Sequence, residues 1–456
     1  MKKLFGTDGM RGEAGSFPLD AATIETIGAS LARRLTEKLG RAPLVVIGRD
    51  TRESGAWLEQ ALVAGLTGAG AQSKSAGVIT TPGVAFLART LPADAGVVIS
   101  ASHNAYRDNG LKIFAPSGRK LDEETERLIE SDVFAQRETV AVEGCDRSLA
   151  AVETNAADAA DLRSRYADFL TNEISRDLSL GDIRLVLDCA NGAASSIAPE
   201  LFHRLGATVT TINNQPNGRN INLGCGSLHT EALQAEVKEQ GANLGVAFDG
   251  DADRALFVDA NGSLVNGDGS LWVLARYLHT RHELNNDTVV ATVMSNIGLE
   301  LALEAEGIHL IRADVGDKYV LEELLRLGAS LGGEQSGHII FPRLSLAGDG
   351  LITTLSMLRA MTEAGTDLHK LTEGFQSFPQ ILVNVQVKVK RPFADVAAIQ
   401  DTAHEVESAL GSEGRLLLRY SGTEPLARIM IEGKSQDEIE KYAAALAKAI
   451  QQTLGV

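Results

Sequence analysis

Val97-Val98-Ile99-Ser100-Ala101-Ser102-His103-Asn104 passes in one step from an apolar run to hydroxyl and amide side chains. A continuous Val/Ile run, rather than an alternating one, marks a strand covered on both faces by helices. This strand ends by presenting a serine. The arrangement recurs where Leu244-Gly245-Val246-Ala247-Phe248 runs into Asp249-Gly250-Asp251-Ala252-Asp253-Arg254. A serine on one strand end and a carboxylate cluster on another suit metal-assisted phosphoryl chemistry.

Runs at 43–48, 96–100, 183–188, 243–248 and 288–293 read as buried parallel strands. Helical patterns fill the intervals, at 20–38, 55–68, 123–131, 158–173, 231–239, 270–279 and 298–306. Strand and helix alternate, so the class is α/β, in three similar units. The end of the chain differs. Residues 380–390 alternate as a half-exposed antiparallel strand does. A helix at 393–410, strands at 415–420 and 426–432, and a helix at 436–453 complete a smaller C-terminal α+β domain. The expected domains are 1–154, 155–254, 255–370 and 371–456.

With 44% hydrophobic residues in 456, the chain can bury several cores. No apolar run approaches the roughly 20 residues of a membrane span. Met1-Lys2-Lys3-Leu4-Phe5 lacks the apolar core of a signal peptide. Cys145, Cys189 and Cys225 are odd in number and lack CxxC spacing, which fits a reducing cytoplasm rather than a disulfide framework or a zinc site. The net charge of −17 argues against nucleic acid as a partner. An anionic substrate then needs a local positive pocket.

Asp249, Asp251 and Asp253 alternate, so an extended backbone would point all three the same way. Such carboxylates repel unless a cation sits between them, and an all-oxygen set favours Mg²⁺ or Ca²⁺. An EF-hand is excluded, because Arg254 and Ala260 stand where that loop needs Gly and Glu. Arg254 suits a phosphate beside the metal. Ser102 suits either a cap or turn, or a phosphoryl carrier that sets acceptor oxygens against the metal. His103 is its neighbour, and on an extended strand neighbours face opposite ways. No Gly-x-Ser-x-Gly elbow surrounds them. Lys112 is close enough in sequence to stabilise or deprotonate a reacting oxygen.

In Gly333-Glu334-Gln335-Ser336-Gly337-His338, the polar side chains of Glu334, Ser336 and His338 alternate in a glycine-bounded loop, a set suited to sugar hydroxyls or simply to a turn. Arg419-Tyr420-Ser421-Gly422-Thr423-Glu424-Pro425-Leu426-Ala427-Arg428 combines two arginines, two hydroxyls and a glycine, as an anion nest or a tight turn does. Glycine-rich Phe5-Gly6-Thr7-Asp8-Gly9-Met10-Arg11-Gly12 carries Arg11, and Gly48-Arg49-Asp50-Thr51-Arg52 closes the first strand. Neither a P-loop nor a dinucleotide fingerprint is present.

Together, residues 5–12, Thr81-Pro82-Gly83-Val84-Ala85, 101–104, 249–254, Val315-Gly316-Asp317-Lys318-Tyr319, 333–338 and 419–425 resemble the α-D-phosphohexomutase superfamily, in the family's order across almost the whole chain. Gly-Glu-Gln-Ser-Gly-His resembles its glucosamine branch; branches acting on glucose or mannose phosphates more often replace Gln335. Ala105, Ala252 and Lys318 depart from the usual proline, glycine and arginine, and Lys318 keeps charge without bidentate geometry.

The resemblance implies four domains around a central cleft, three related α/β domains with mixed sheets plus the smaller C-terminal domain, and a cytoplasmic homodimer. It implies one Mg²⁺ per chain on Asp249, Asp251, Asp253 and phosphorylated Ser102. A small phosphosugar is the implied substrate, with a sugar 1,6-bisphosphate as activator and intermediate. No membrane partner is expected. The implied reaction converts glucosamine 6-phosphate to glucosamine 1-phosphate, feeding UDP-N-acetylglucosamine and cell-wall synthesis. Ser102, Lys112, Arg11 and His103 are then the catalytic candidates, with Lys112 as general acid/base and His338 or Arg11 sharing that work. Arg254, Lys318, Glu334, Ser336, His338, Arg419, Ser421, Gly422, Thr423 and Arg428 are the substrate-binding candidates. The rivals are a phosphoglucomutase/phosphomannomutase of the same fold and a non-catalytic sugar-phosphate-binding protein.

Overall fold

The computed structural model describes residues 3–6, 8–140, 155–421 and 424–456. Cys145, Gly422 and Thr423 lie outside these. The chain forms two compact units, Met1–Met294 with Ile311–Thr372, and Ser295–Leu310 with Glu373–Val456.

In the first unit a six-stranded sheet runs in the order Phe5–Gly6, Gly9–Glu13, Asp108–Phe114, Ala95–Ile99, Leu44–Arg49, Gln72–Val78. Every residue of Ala95–Ile99 is buried, as its unbroken apolar pattern requires. It pairs parallel with Leu44–Arg49 and antiparallel with Asp108–Phe114. The sheet is mixed because the segment between Ile99 and Asp108 is too short for the crossover of about a dozen residues that a parallel neighbour needs. The return strand carries Lys112 inward.

The second sheet repeats this device. Leu244–Phe248 pairs parallel with Arg184–Asp188, then antiparallel with Ala255–Asp259 across the acidic loop. Both return strands escaped the sequence reading. The third sheet is also mixed: Thr288–Thr292 and Leu331–Gly333 are parallel, and Leu331–Gly333 pairs antiparallel with Ile339–Ile340. The helix expected at 123–131 continues to Val140, and that at 158–173 is Ala156–Phe169 followed by a π turn at Leu170–Ile174.

In the second unit, Gln380–Gln386, Leu426–Glu432 and Arg415–Tyr420 form an antiparallel sheet. Among its buried residues, Val385, Ile429 and Ile431 pack with Ile399 and Val406 of helix Ala397–Leu410 and Leu446 of helix Gln436–Leu454. The first of these helices begins later than expected, because Phe393–Asp395 after Pro392 forms a separate 3₁₀ turn. Among the described residues, no helix is long and apolar enough to cross a membrane. Cys189 and Cys225 are buried and free.

Candidate active site

The strand that delivers Ser102 ends at Ile99, and Ser102 has a left-handed backbone with φ 52°. The expectation of an extended chain, with His103 facing away, is therefore overturned. The turn brings Ser102 Oγ to 3.2 Å from His103 Nδ1. It also lets Oγ donate to Asp249 Oδ2 at 2.6 Å. Burial first, then Arg254 and Arg11, pull His103 down to a pKa of about 4, so its imidazole is neutral at pH 7.

The acidic loop is a turn as well, not an extended segment. Ala252 N donates to Asp249 O at 3.1 Å and Ala252 has φ 55°. That is the position where the family resemblance leads one to expect glycine, which takes a left-handed backbone without strain. The turn still gathers Asp249, Asp251 and Asp253, with one ligand oxygen from each within 4.8 Å of the others. All three are buried. Asp251 Oδ1 and Asp253 Oδ1 have no hydrogen-bond partner. Buried anionic oxygens without donors fit a hard cation, so the cluster can hold a metal. Burial, then Asp253 and Asp251, push the Asp249 carboxyl well above the usual range.

Lys112 is fully buried against this cluster. Its Nζ stands 3.0 Å from Asp251, 3.1 Å from Asp253 and 3.2 Å from Asp8. Burial works against its charge, but the three carboxylates outweigh it and raise the pKa well above the ordinary value. Arg254 Nε lies 4.0 Å from Asp249 and 3.8 Å from Asp253. His338 Nδ1 lies 3.6 Å from Asp253 Oδ1, an ion-pair rather than a hydrogen-bond distance. Against the effect of burial, Asp253 and Asp317 raise His338 to a pKa of about 9.

Arg11, His103, Asp253, Arg254, Glu334 and His338 line one cavity of about 480 Å³. Asp253 and His338 also line a second cavity of about 700 Å³, with Thr81, Lys112, Lys120 and Lys318. Glu334 accepts from Gly316 N at 3.1 Å and from Ser336 Oγ at 3.3 Å. Glu334 and Ser336 thus stay together, while His338 turns to the acidic loop. Gln335 points elsewhere and donates to Asp268 at 3.1 Å. Lys318 pairs with Glu123.

Several residues here were given no role of their own from the sequence. Asp8 pairs with Arg11 and bonds Lys120 at 2.7 Å, and Lys120 reaches Asp317 at 2.6 Å. Thr81 Oγ1 donates to Asp251 at 2.6 Å. Glycine-flanked Asp8 and the Thr-Pro-Gly start of helix Thr81–Thr90 were the available signals.

In the second unit, Arg419 and Arg428 are register partners on neighbouring strands. Like charges set directly opposite repel, and Arg428 Nη2 also lies 3.5 Å from Glu424 Oε2. Ser421 Oγ accepts from Glu424 N at 3.2 Å and lies 3.5 Å from Arg428 Nη2. Lys390 Nζ, also not expected, donates to Ser421 O at 2.5 Å.

Four segments match the sequence families described as phosphoglucomutase/phosphomannomutase: alpha/beta/alpha domain I at 2–140, domain II at 164–262, domain III at 266–378 and the C-terminal domain at 382–449. The chain belongs to the phosphoglucomutase/phosphomannomutase family, and it is an enzyme of the isomerase class, a phosphohexomutase. It is 49% identical to the phosphoglucosamine mutase of Solibacter usitatus, over 100% of this chain and 99% of that relative. A phosphoglucomutase/phosphomannomutase family protein from Burkholderia thailandensis shares the fold at TM-score 0.79 and 24% identity, covering 99% of this chain and 98% of that one. The Aspergillus fumigatus N-acetylphosphoglucosamine mutase in complex with GlcNAc-6P and magnesium superposes at TM-score 0.64 and 18% identity, covering 98% of this chain and 95% of that one.

Proposed function

We propose that the chain interconverts glucosamine 6-phosphate and glucosamine 1-phosphate, with Ser102 as phosphoryl carrier and a sugar bisphosphate as intermediate and activator. The observation that carries this reading is Ser102 Oγ at 2.6 Å from Asp249, on the edge of the buried carboxylate cluster. The name of the full-length Solibacter relative supports the choice of sugar. Asp249, Asp251 and Asp253, completed by Ser102, would hold one Mg²⁺, which when bound supplies charge neutralisation and Lewis acidity.

In the first half-reaction the P–O bond at Ser102 breaks as one forms to a sugar hydroxyl; in the second a P–O bond at the other end of the bisphosphate breaks as one re-forms to Ser102 Oγ. In the first, the sugar hydroxyl gives up a proton and Ser102 Oγ takes one; the second half-reaction reverses the exchange at the other end of the sugar. Such transfer needs positioning and charge more than covalent help. Neutral His103, 3.2 Å from Ser102 Oγ, takes the proton that the sugar hydroxyl gives up and passes it to Ser102 Oγ. Lys112 and His338, both cationic, serve as donors, with Arg11 and Arg254 balancing phosphoryl charge. Glu334 and Ser336 take the sugar hydroxyls in either orientation. Arg419, Ser421, Gly422, Thr423 and Arg428 take the phosphate that is not reacting, and Lys318 adds a substrate cation. In this reading the chain works as a cytoplasmic homodimer, with domains 1–154, 155–254, 255–370 and 371–456.

The test is relative kcat/KM on the 6-phosphates of glucosamine, glucose and mannose, with Mg²⁺ and a bisphosphate primer. Glucosamine 6-phosphate is expected to lead. A preference of about tenfold, or about 1.4 kcal/mol, for glucose or mannose replaces this reading with a phosphoglucomutase/phosphomannomutase. Ser102→Ala is expected to carry no phosphoryl group by intact mass and to show no turnover.

A further inference from the structure

The serine loop is gripped at two carbonyl oxygens by residues outside the chemistry above. Arg52 is buried, and its Nη2 donates to Ser102 O at 3.2 Å and Asn104 O at 2.6 Å. Asn222 Nδ2, from the loop beyond strand Thr208–Ile212, donates to the same two oxygens at 2.9 and 3.0 Å. Arg52 is set in turn by Asp50, which pairs with its guanidinium and accepts its backbone N–H at 2.9 Å. Asp50 also accepts the Ser100 hydroxyl at 2.6 Å, and Ser100 Oγ accepts the Ser102 amide at 3.0 Å. The circuit around the turn is closed.

Backbone strain gathers at the same place. Ser102, Ala190, Asn191 and Asn222 have φ of 52°, 53°, 49° and 56°. Asn222 N donates to Ala190 O at 2.9 Å. Left-handed backbone at non-glycine residues persists where the surroundings over-determine it, and it clusters at working sites. Gly250 of the acidic loop closes the arrangement: a Cβ there would meet Ser102 O at 2.5 Å and Asn222 Nδ2 at 2.9 Å. With both carbonyl oxygens committed to donors, neither is left to repel an anionic group carried on Ser102 Oγ.

We propose that Asn222, together with Arg52, is a positioning residue for phosphoryl transfer. The pair fixes the left-handed turn at Ser102 and so sets the line along which its Oγ meets Asp249 and an incoming sugar hydroxyl. This rests on Ser102 as the phosphoryl carrier. Asn222 is only half-buried, so it can be changed without emptying a core. Asn222→Asp and Asn222→Gly both tolerate left-handed backbone, and neither offers the amide donor.

Wild type and both variants are loaded with glucose 1,6-bisphosphate, and intact mass counts the phosphoryl group on Ser102. Rapid quench then follows its single-turnover passage to glucosamine 6-phosphate. Both variants are expected to transfer about 100-fold more slowly, with KM for glucosamine 6-phosphate and the melting temperature little changed. Transfer at the wild-type rate in Asn222→Gly overturns the proposal, as does a rise in KM that accounts for the whole loss. If wild type itself takes no phosphoryl group on Ser102, the carrier reading fails and the proposal with it; the wild-type sample tells that failure from the other two.

Discussion

The serine loop, between Ile99 and Asp108, and the acidic loop, between Phe248 and Ala255, are local solutions to one problem. Each joins a fully buried strand to an antiparallel partner in a mixed sheet. Each turns through one left-handed residue that is not glycine, Ser102 at φ 52° and Ala252 at φ 55°. They differ in how their polar atoms are satisfied. In the serine loop, Ser102 N, Ser102 O, Asn104 O and Ser102 Oγ all have partners. In the acidic loop, Asp251 Oδ1 and Asp253 Oδ1 are buried without a donor. A loop whose turn is bonded at these four atoms holds a geometry. A loop with buried anionic oxygens left over holds a place for a cation that is not part of the chain.

The contrast can be broken most forcefully at Lys112, whose ammonium stands among Asp8, Asp251 and Asp253. Removing one partner from a buried ion cluster costs about 3–5 kcal/mol. Lys112→Met in metal-free protein should lose that much in urea unfolding and recover a large part in saturating Mg²⁺. An unchanged urea midpoint would mean that the acidic loop carries no unanswered charge.

A second test lies beneath the acidic loop. Gly350 N donates to Ala252 O at 3.0 Å, and Asp349 caps the helix that Gly350 begins. Burial raises the Asp349 carboxyl from 3.8 to about 6, against bonds from Tyr166, Ile352 and Leu351. The folded chain therefore holds this proton more tightly than the unfolded chain. Its contribution to stability is full below pH 3.8 and is lost as pH rises through about 6. The stability of wild type relative to Asp349→Asn should fall by about 3 kcal/mol across that window. A difference that stays flat with pH would show the carboxyl ionising freely in the fold.

The smallest effect sharpens the likeness of the two turns. Ala252→Gly should relieve left-handed strain of about 1 kcal/mol. A looser unfolded chain returns part of that. The net gain is about 0.5 kcal/mol, a rise of roughly 1 °C in Tm. A fall in Tm would mean that the buried methyl group matters more than the backbone.

Sequence alone located both loops, because a buried strand that stops in polar residues is a local pattern. Strands Arg415–Tyr420 and Leu426–Glu432 matched their expected ranges for the same reason. What escaped was set by distance along the chain. Thr81 meets Asp251 across 170 positions, and Asn222 meets Ser102 across 120. Such pairs follow from sheet topology, and neither partner carries a local mark of the other. The left-handed turn at Ser102 was equally hidden, since nothing in Ser-His-Asn demands it. Reading that stretch as extended placed His103 on the wrong side.

The chain matches its family in four separate segments, which invites treating it as a set of interchangeable parts. The absence of a side chain at Gly250 limits that freedom. Ser102 O lies 2.5 Å from where a Cβ would sit, so the segments at 2–140 and 164–262 meet backbone against backbone. No rotamer there can absorb a misfit. A chimera carrying a relative's first segment must reproduce the path of the Ser102 carbonyl to within a few tenths of an ångström, or the carrier and its carboxylates part company. For grafting and directed evolution, the first two segments are one inheritable piece.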